Sequence, residues 1–556
     1  MIHTTRWAAA ILLAASPAAL AGQPSKAAGL EVLGTYESGF FDAGGAEVPT
    51  YDPLTRRAFV VNAGDQSVDV LDLRNPRHPR RVKSLDIARD LAPRAVGGAN
   101  SVDVKNGLLA VAIEADPKQD DGWVAFYSTI TLRLLGVAPA GALPDMVTFS
   151  EDGRYVLTAN EGEPNSYGEP DSRDPEGSVT IIDLLRLGRP GFVRQVGFAD
   201  FNEHGPRAHE LPADVRIYGP GATVAQDLEP EYIAVDGHKA YVTLQENNAL
   251  AVIDIRKARV EGILALGFKD HSQHGNEIDA SDRDGAINIA NWPVFGMYQP
   301  DAIEAFKVRG RTYLVTANEG DARDYDGFAE EGRVRGDLTL DPTAFPNRDV
   351  LRDNTRLGRL TVTTALGDDD GDGDFDRLFV LGGRSFTIWD ASTGAIVFDS
   401  GAEIERITAN LLPDDFNSTN DENGTFDNRS DNKGPEPEGL AVGWVDGVPY
   451  LFLGLERIGG VMVYDLSDPA APLFVDYVNN RNFDVDACGR FEQDDEGEDV
   501  CVAPNPEAGD LGPEGLKFVP AWASPNRKPL LIVGNEISGT TTVYEFKAPR
   551  RHGRRR

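Results

Sequence analysis

Acidic residues recur in pairs at one position of a repeated hairpin pattern. The clearest copy starts at Pro300-Asp301, continues through two apolar segments and ends at Asn318-Glu319. The start and the end of an antiparallel hairpin lie at the same edge of a sheet, so this copy predicts two neighbouring carboxylates. Four more copies pair Asp145 with Glu161, Glu231 with Glu246, Glu438 with Glu456, and Glu514 with Glu536.

These ten acids would surround one mouth if the hairpins are arranged radially. Neighbouring carboxylates repel one another, and their pKa values rise unless a cation is bound between them. Divalent cations, with calcium as the expected ion, would relieve the repulsion and keep open coordination for an anionic ligand. The alternative is structural, with some of the acids capping backbone N–H groups or pairing with Arg323, Arg457 or Lys433.

A second acidic feature is a short segment with an aspartate at every second position. Its candidate metal ligands are Asp368, Asp370, Asp372, Asp374 and Asp376. Hard oxygen ligands at this spacing, with Gly373 for the sharp turn, are typical of calcium loops. Phe379 stands where an EF-hand has its glutamate, so no helix–loop–helix is predicted, and a flexible acidic turn is the alternative. Segments 279–285 and 420–427 are less regular versions of the same pattern.

The elements that would position these acids are short strands in groups of four. Alternating segments such as 178–184 and 249–255 follow the hairpins, and a final strand often follows a turn. Four-stranded units at this spacing are typical of a β-propeller. We therefore predict an all-β fold, a single β-propeller. Units starting near residues 51, 100, 144, 230, 300, 437 and 513 predict seven blades, and the strand group at 357–399 leaves eight as the alternative.

Two further features belong to the predicted propeller. Residues 30–36 would complete the last unit and close the ring. Long insertions interrupt the units at 162–177, 200–228, 269–298, 320–355, 402–436 and 482–512. Most of them leave from the acidic edge of a hairpin, so we expect them on the face that carries the carboxylates, where long loops are often functional.

The chain termini and the composition predict an exported protein. Residues 1–21 combine Arg6, an apolar run and Ala19-Leu20-Ala21, which is typical of a secretory signal peptide. The propeller would span 22–546, and 547–556 would be a basic disordered tail. No later stretch is long and apolar enough to span a membrane. The net charge of −35 argues against nucleic acid and favours cations as partners.

The chain has two cysteines, Cys488 and Cys501. In an exported protein they predict a disulfide across the acidic loop between them. A two-cysteine metal site is the alternative, although no histidine lies near them in the sequence.

Five segments resemble a known family: 144–150, 159–165, 317–325, 382–386 and 434–439. In them the chain resembles the choice-of-anchor I family, which includes mesenchyme-specific cell-surface glycoproteins and bacterial proteins labelled alkaline phosphatases. The resemblance implies an extracellular β-propeller and raises phosphatase activity as an expectation. Members often end in an anchoring segment, whereas this chain ends in a basic tail, so we expect a periplasmic or released protein. The acidic channel is also similar to that of β-propeller phytases, which bind several calcium ions.

Two functions follow from these residues, and whether the protein is an enzyme stays open. The first is a secreted calcium-binding propeller that recognises mineral, a cell-surface polymer or another protein. The second is a calcium-dependent phosphomonoesterase, in which metal-bound water attacks a phosphorylated small molecule held by Arg323 or Arg457. The sequence contains no G-x-S-x-G, P-loop or H-E-x-x-H motif, so nucleophilic catalysis has little support.

Overall fold

Seven four-stranded antiparallel sheets surround a central channel in the structure, a computed structural model that describes residues 28–493 and 499–550. The first strand of each sheet contacts the first strands of both neighbouring sheets, so the sheets form a closed ring. These seven innermost strands line a cavity of about 330 Å³. We call the sheets blades 1 to 7 in chain order.

The strands are as follows: Pro49–Asp52, Arg57–Asn62, Ser67–Asp72 and Arg80–Asp86 in blade 1; Val96–Lys105, Leu108–Ala115, Asp121–Ser128 and Leu134–Ala142 in blade 2; Pro144–Phe149, Tyr155–Asn160, Ser178–Asp183 and Val193–Gly197 in blade 3; Pro230–Asp236, Lys239–Leu244, Ala249–Asp254 and Arg259–Ala265 in blade 4; Ile303–Val308, Arg311–Asn318, Ser385–Asp390 and Ile396–Asp399 in blade 5; Pro437–Val445, Val448–Leu455, Val461–Asp465 and Leu473–Val478 in blade 6; and Pro513–Val519, Leu530–Asn535, Thr540–Lys547 and the N-terminal Gly29–Glu37 in blade 7.

Smaller elements lie outside the blades. Phe268–Asp270, Phe295–Met297 and Phe379–Val380 form a three-stranded sheet, and the two-stranded sheets pair Asp324–Tyr325 with Phe328–Ala329, Glu331–Arg333 with Thr361–Thr363, and Cys488–Gln493 with Asp499–Pro504. The α-helices are Ile87–Leu91, Val224–Asp227, Arg348–Leu351 and Glu403–Leu411, and the 3₁₀ helices are Ala63–Asp65, Leu184–Arg186, Ala199–Phe201, Ala208–Glu210 and Pro506–Ala508.

Blade 7 joins the two ends of the described chain. Gly29–Glu37 pairs antiparallel with Thr540–Lys547 along its whole length. The prediction that residues 30–36 close the ring is therefore confirmed. Closure allows the first and last blades to bury their faces against each other, as all the other blades do.

The prediction of an all-β propeller with seven blades is confirmed, and the strand group at 357–399 does not form an eighth. Ser385–Asp390 and Ile396–Asp399 complete blade 5, whereas Phe379–Val380 pairs with Phe295–Met297 outside the blades. The chain leaves blade 5 after Asn318 and returns at Ser385. This insertion places the second and third strands of blade 5 so far apart in the sequence that their spacing did not show that they belong to the same blade.

The core is a set of apolar layers between adjacent blades. Along the second strand of blade 3, Val156 packs in the layer shared with blade 2, and Leu157 packs in the layer shared with blade 4. Successive strand residues point to opposite faces of a sheet. Because both faces are buried, the strands have nearly continuous apolar sequences.

The long insertions form a layer of their own, and they contact one another. Trp292, Val334 and Leu357, which come from separate segments, share one buried apolar cluster. Arg216 forms a buried ion pair with Glu330 of another insertion. The nine-residue helix Glu403–Leu411, which the strand pattern did not predict, also lies in an insertion.

Cys488 and Cys501 form the predicted disulfide. The predicted signal peptide at 1–21 lies outside the described residues, as do residues 551–556 of the predicted tail. Within 28–493 and 499–550, no helix combines the length and the apolar character needed to cross a membrane.

Candidate functional site

In four blades the first acid of the hairpin lies in a β-bulge at the start of the innermost strand. In blade 3 the pairing shifts between Pro144 and Val147, which leaves Asp145 in the bulge. A bulge bends the strand and re-aims its side chains. Equivalent shifts follow the first proline of blades 4, 6 and 7 and place Glu231, Glu438 and Glu514 in bulges.

The second acid follows an asparagine that is hydrogen-bonded to the next strand. Asn160 Nδ2 donates to Ser178 Oγ and Thr180 Oγ1 at 3.1 and 3.0 Å. Asn318 in blade 5 and Asn535 in blade 7 donate in the same way to hydroxyls of their third strands. These bonds fix the backbone at the point where the strand ends. The acids that follow are Glu161, Glu319 and Glu536.

Together these acids form a rim at one mouth of the channel, to which every blade except blade 2 contributes. We call it the acidic rim: Glu47, Asp145, Glu161, Glu231, Glu246, Asp301, Glu319, Glu436, Glu438, Glu456, Glu514 and Glu536. Ten of them were candidates from the sequence, and their mutual electrostatic effects connect all the contributing blades. Burial, with Glu319 next, raises the pKa of Asp301 well above its ordinary value. Burial and then Glu456 do the same to the pKa of Glu438. The two acids of one hairpin are therefore neighbours, as the hairpin pattern predicts.

Three rim residues form a group that we call the carboxylate triad: Asp145, Glu161 and Glu231. Each offers one oxygen, and the three oxygens lie within 4.8 Å of one another. Burial raises the pKa of Asp145 to about 7, with further contributions from Glu163 and Glu114. Burial and then Asp145 raise the pKa of Glu161 well above its ordinary range, against the effect of its hydrogen bond with Glu231. Burial and then Glu161 raise the pKa of Glu231 in the same way.

The triad has no basic partner. No Lys or Arg of the described residues forms an ion pair with Asp145, Glu161 or Glu231, and the largest influences on their pKa values are burial and other acids. Like charges in partly desolvated positions favour either protonation or a bound cation. The triad is therefore suited to hold a divalent cation through hard oxygen ligands.

A second group, Glu319, Glu436 and Glu456, has the same spacing but is neutralised by the protein. Lys433 Nζ lies 2.6 Å from Glu319 Oε1 and 3.2 Å from Glu436 Oε2. Arg429 and Arg457 also pair with Glu436, at 2.6 and 3.0 Å. Burial alone would raise the pKa of Glu436, but Lys433, Arg429 and Arg457 together hold it well below its usual range. This part of the rim already contains its cations.

Three further rim carboxylates have an oxygen without a hydrogen-bond partner among the described residues. These buried atoms are Glu246 Oε2, Glu438 Oε2 and Glu514 Oε2. Burial, with Asp321 next, raises the pKa of Glu246 to about 8. A buried carboxylate oxygen without a donor is costly for the folded protein. The rim therefore carries more negative charge than the surrounding side chains compensate.

Two rim residues, Glu47 and Glu436, were missed in the sequence. Burial and then Glu536 raise the pKa of Glu47 to about 8, which places it beside the acid of blade 7. Glu47 lies two residues before the first strand of blade 1, and Glu436 lies two residues before Glu438. A search for acids just before a blade's first proline would have found both.

The two arginines proposed for phosphate binding have different positions. Arg323 is buried beneath the insertions, where it pairs with Asp227 and with Glu229 at 3.0 Å and stacks on Tyr218. Arg457 lies at the rim, where it pairs with Glu456 at 3.1 Å as well as with Glu436, and its side chain is 25% exposed. Of the two, only Arg457 is accessible to a ligand at the mouth.

The aspartate-rich loop at 368–376 is exposed and compact. Gly371 and Gly373 donate their backbone N–H groups to the carboxylate of Asp368 at 2.8 and 3.0 Å. Two sets of oxygens lie within 4.8 Å of one another: Asp368, Asp370 and Asp376, and also Asp341, Asp374 and Asp376. Asp341 precedes the loop by 27 positions in the sequence and was not predicted. Asp372 belongs to neither set, and its Oδ1 accepts the N–H of Asp374 at 3.1 Å.

The sequence profile of the choice-of-anchor I domain matches residues 47–469. Gigasin-3a of Magallana gigas is 30% identical over 207 residues, which cover 35% of this chain and 67% of that protein. The mesenchyme-specific cell surface glycoprotein of Strongylocentrotus purpuratus is 29% identical over 317 residues, which cover 50% of this chain and 40% of that protein. The match thus spans two fifths of the length of the glycoprotein.

Two solved structures are also similar. Kuenenia stuttgartiensis hydrazine synthase aligns with a TM-score of 0.44 and 14% identity over 91% of this chain and 97% of that chain. The Cps50 (Swd1) β-propeller domain of Myceliophteria thermophila aligns with a TM-score of 0.42 and 8% identity over 93% and 100% of the two chains. Because these TM-scores are low, we assign the fold from the closed ring of seven sheets and not from these alignments.

Proposed function

The chain belongs to the choice-of-anchor I domain family, and from that premise we propose that it is a calcium-binding β-propeller that acts by binding at its acidic rim. The observation that carries the proposal is the carboxylate triad. Its three oxygens are close enough to share one ion, and no Lys or Arg in 28–493 or 499–550 forms an ion pair with them. Calcium would neutralise the triad and retain free coordination positions for a ligand.

The chemistry of the donors supports calcium over other metals. The triad offers only carboxylate oxygens, and thiolate or imidazole ligands, which zinc and copper prefer, are absent from it. Calcium accepts six to eight oxygens in flexible geometry, whereas magnesium requires a near-ideal octahedron. The side chains come from strand ends of two different blades, which fits the less demanding ion.

The basic side chains beside Glu319, Glu436 and Glu456 support the proposal that the ligand is an anion. Lys433 and Arg457 lie at the mouth beside Glu319 and Glu456. An anionic polymer or mineral surface could contact calcium at the triad together with the partly exposed Arg457. The relative from Strongylocentrotus purpuratus is named a cell surface glycoprotein, and we extend a recognition role of that kind to this chain.

The protein is exported. The Cys488–Cys501 disulfide is of the kind that persists in oxidising compartments outside the cytosol. The family match and the cell-surface relative agree with this location. We propose the predicted signal peptide at 1–21 as the export signal.

Calcium binding can be tested by equilibrium dialysis with calcium-45 on protein freed of metal. We expect Glu161→Gln to remove one bound ion per chain. The matched control is Glu319→Gln, since Lys433 lies against that carboxylate and the same number of ions should remain. Equal calcium content in wild type and Glu161→Gln would remove the proposal.

A calcium-dependent phosphomonoesterase is the second candidate, and the position of Arg457 is the observation that favours it. The partly exposed Arg457 guanidinium beside the rim could bind a phosphoryl group, and a cation held by the triad would supply an activated water for hydrolysis. The test is release of phosphate from p-nitrophenyl phosphate and phytate, with calcium and with chelator. Calcium-dependent turnover that Arg457→Lys lowers at least tenfold would support it, and no turnover on either substrate would eliminate it.

A further inference from the structure

Two buried oxygens of the insertion layer have no hydrogen-bond partner among the described residues. They are Asn417 Oδ1 and Asp427 Oδ2, on side chains that the acidic rim does not include. Asn417 is 0% exposed and Asp427 is 2% exposed. Leaving such an atom unpaired destabilises the folded protein, and the effect is larger for an ionised group. The structure therefore indicates a missing partner.

The two side chains meet at one hydroxyl group. Ser430 Oγ donates to Asp427 Oδ1 at 2.5 Å, and Asn417 Nδ2 donates to Ser430 Oγ at 2.9 Å. The backbone N–H of Arg429 also donates to Asn417 O at 2.8 Å. Asn417 is thus held through its Nδ2 atom and Asp427 through its Oδ1 atom. The other polar atom of each group is the oxygen without a partner.

Asp279, from a different insertion, borders the same place through Glu405. Glu405 Oε1 accepts Asn417 Nδ2 at 3.3 Å, and Glu405 Oε2 accepts the backbone N–H of Asp279 at 3.0 Å. The Asp279 side chain is fully buried, and its Oδ1 has only a long contact of 3.4 Å with the N–H of Ser281. A third side-chain oxygen, the second from a carboxylate, is therefore available for a ligand.

The local charges are not balanced by the protein. Arg384 is used by Glu405 at 2.7 Å, and Arg359 is used by Asp282 at 2.7 Å. Within the described residues no basic side chain pairs with Asp427 or Asp279. Burial raises the pKa of Asp427 to about 8, against the effect of its Ser430 bond and with contributions from Asp279, Asp284 and Asp282.

We propose that Asp427, Asn417 and Asp279 form a buried calcium site that joins the insertion at 269–298 to the insertion at 402–436. Two carboxylates and an amide carbonyl are hard oxygen ligands, and calcium commonly combines these types. The ion would supply the partner that Asn417 Oδ1 and Asp427 Oδ2 lack. Its expected role is structural, because all three side chains are buried.

The calcium content of purified, dialysed protein tests the site by elemental mass spectrometry. We expect Asp427→Asn to hold one calcium fewer per chain than wild type, and the exposed Asp414→Asn, from the same insertion, to hold the wild-type number. The rim variant Glu161→Gln should lose a different ion, so the double variant should lose two. Wild-type content in Asp427→Asn would overturn the proposal and leave the rim unaffected.

Stability measurements give a second readout that does not depend on purification with bound metal. In chelator at pH 9, Asp427→Asn should melt higher than wild type, because the unpaired charge is gone, and calcium should raise its Tm less. Asn417→Asp should do the reverse, with a lower Tm in chelator and a larger calcium gain. Calcium gains equal to wild type in both variants would overturn the proposal, and so would an equal wild-type gain from sodium alone.

Discussion

Replacing Asp145 with asparagine should stabilise the protein in chelator and weaken its response to calcium. Asparagine has nearly the same size as aspartate, so the packing in the bulge of blade 3 is kept. The change removes one carboxylate from the triad, with which no Lys or Arg of the described residues forms an ion pair. The same substitution thus has opposite effects with and without the ion.

The size of the effect follows from the raised pKa of Asp145. The pKa moves from an ordinary 3.8 to about 7, and each unit corresponds to about 1.4 kcal/mol. The ceiling is therefore about 4 kcal/mol, and water at the open mouth reduces it to roughly 1–2 kcal/mol. For about 520 folded residues the unfolding entropy is near 1.1 kcal/mol/K, so the Tm in chelator should rise by about 1–2 °C.

The sign depends on pH. The folded-state pKa of Asp145 lies above its unfolded value, so the cost of its charge is absent below about pH 4 and is fully present above about pH 7. The gain from Asp145→Asn in chelator should therefore be seen at pH 8 and be absent at pH 4. Calcium at one hundred times its Kd should add about 2.7 kcal/mol to wild type. A tenfold weaker affinity in the variant would halve this gain.

Thermal unfolding is measured at pH 4 and at pH 8, each with chelator and with calcium, which gives four conditions. Glu319→Gln is the control, because its carboxylate contacts Lys433 at 2.6 Å. It should lower the Tm in chelator and keep the full calcium gain. If Asp145→Asn lowered the Tm in chelator at pH 8, or kept the full calcium gain, the triad would not be an uncompensated cation site.

Three other substitutions test separate parts of the structure. Arg323→Met should cost roughly 3–5 kcal/mol in chemical denaturation, because it leaves buried Asp227 and Glu229 unpaired; a loss below about 1 kcal/mol would contradict the buried pairing. Asn318→Ala should cost roughly 1–3 kcal/mol by the same assay, since hydroxyls of blade 5 lose their donor, and an unchanged midpoint would show that the corner needs no such bond. Asp370→Asn, in the exposed loop, should change stability in chelator by less than about 0.5 kcal/mol yet remove a bound calcium in dialysis; unchanged calcium content would place no ion there.

The parts of the site that follow from local rules were predictable from the sequence. A proline followed by an acid marks the bulge of the first strand, and an asparagine followed by an acid marks the end of the second. Both signals lie within one hairpin, so the residue order alone was enough to pair Asp145 with Glu161. The blade count followed from the same short-range repetition.

Contacts between insertions could not be predicted, because no local pattern records them. Lys433 reaches Glu319 across 114 positions of the sequence. Asp279 meets Glu405 across 126 positions. The sequence showed two weak acidic loops at 279–285 and 420–427 as separate features, whereas the fold brings Asp279 and Asp427 to one buried place. The buried oxygen of Asp427 that lacks a partner among the described residues is visible only in three dimensions.

The insertions also explain why basic side chains neutralise some acids of the rim and not others. The insertion at 402–436 carries Arg429 and Lys433 to the acids of blades 5 and 6. Lys118 lies near the triad, but Glu163 holds it in an ion pair, and Tyr325 donates to the other oxygen of Glu163 at 2.8 Å. Glu163 therefore keeps Lys118 from neutralising Glu161. By pairing with Lys118, Glu163 preserves the negative charge of the triad. A metal ion from solution would bind to that charge.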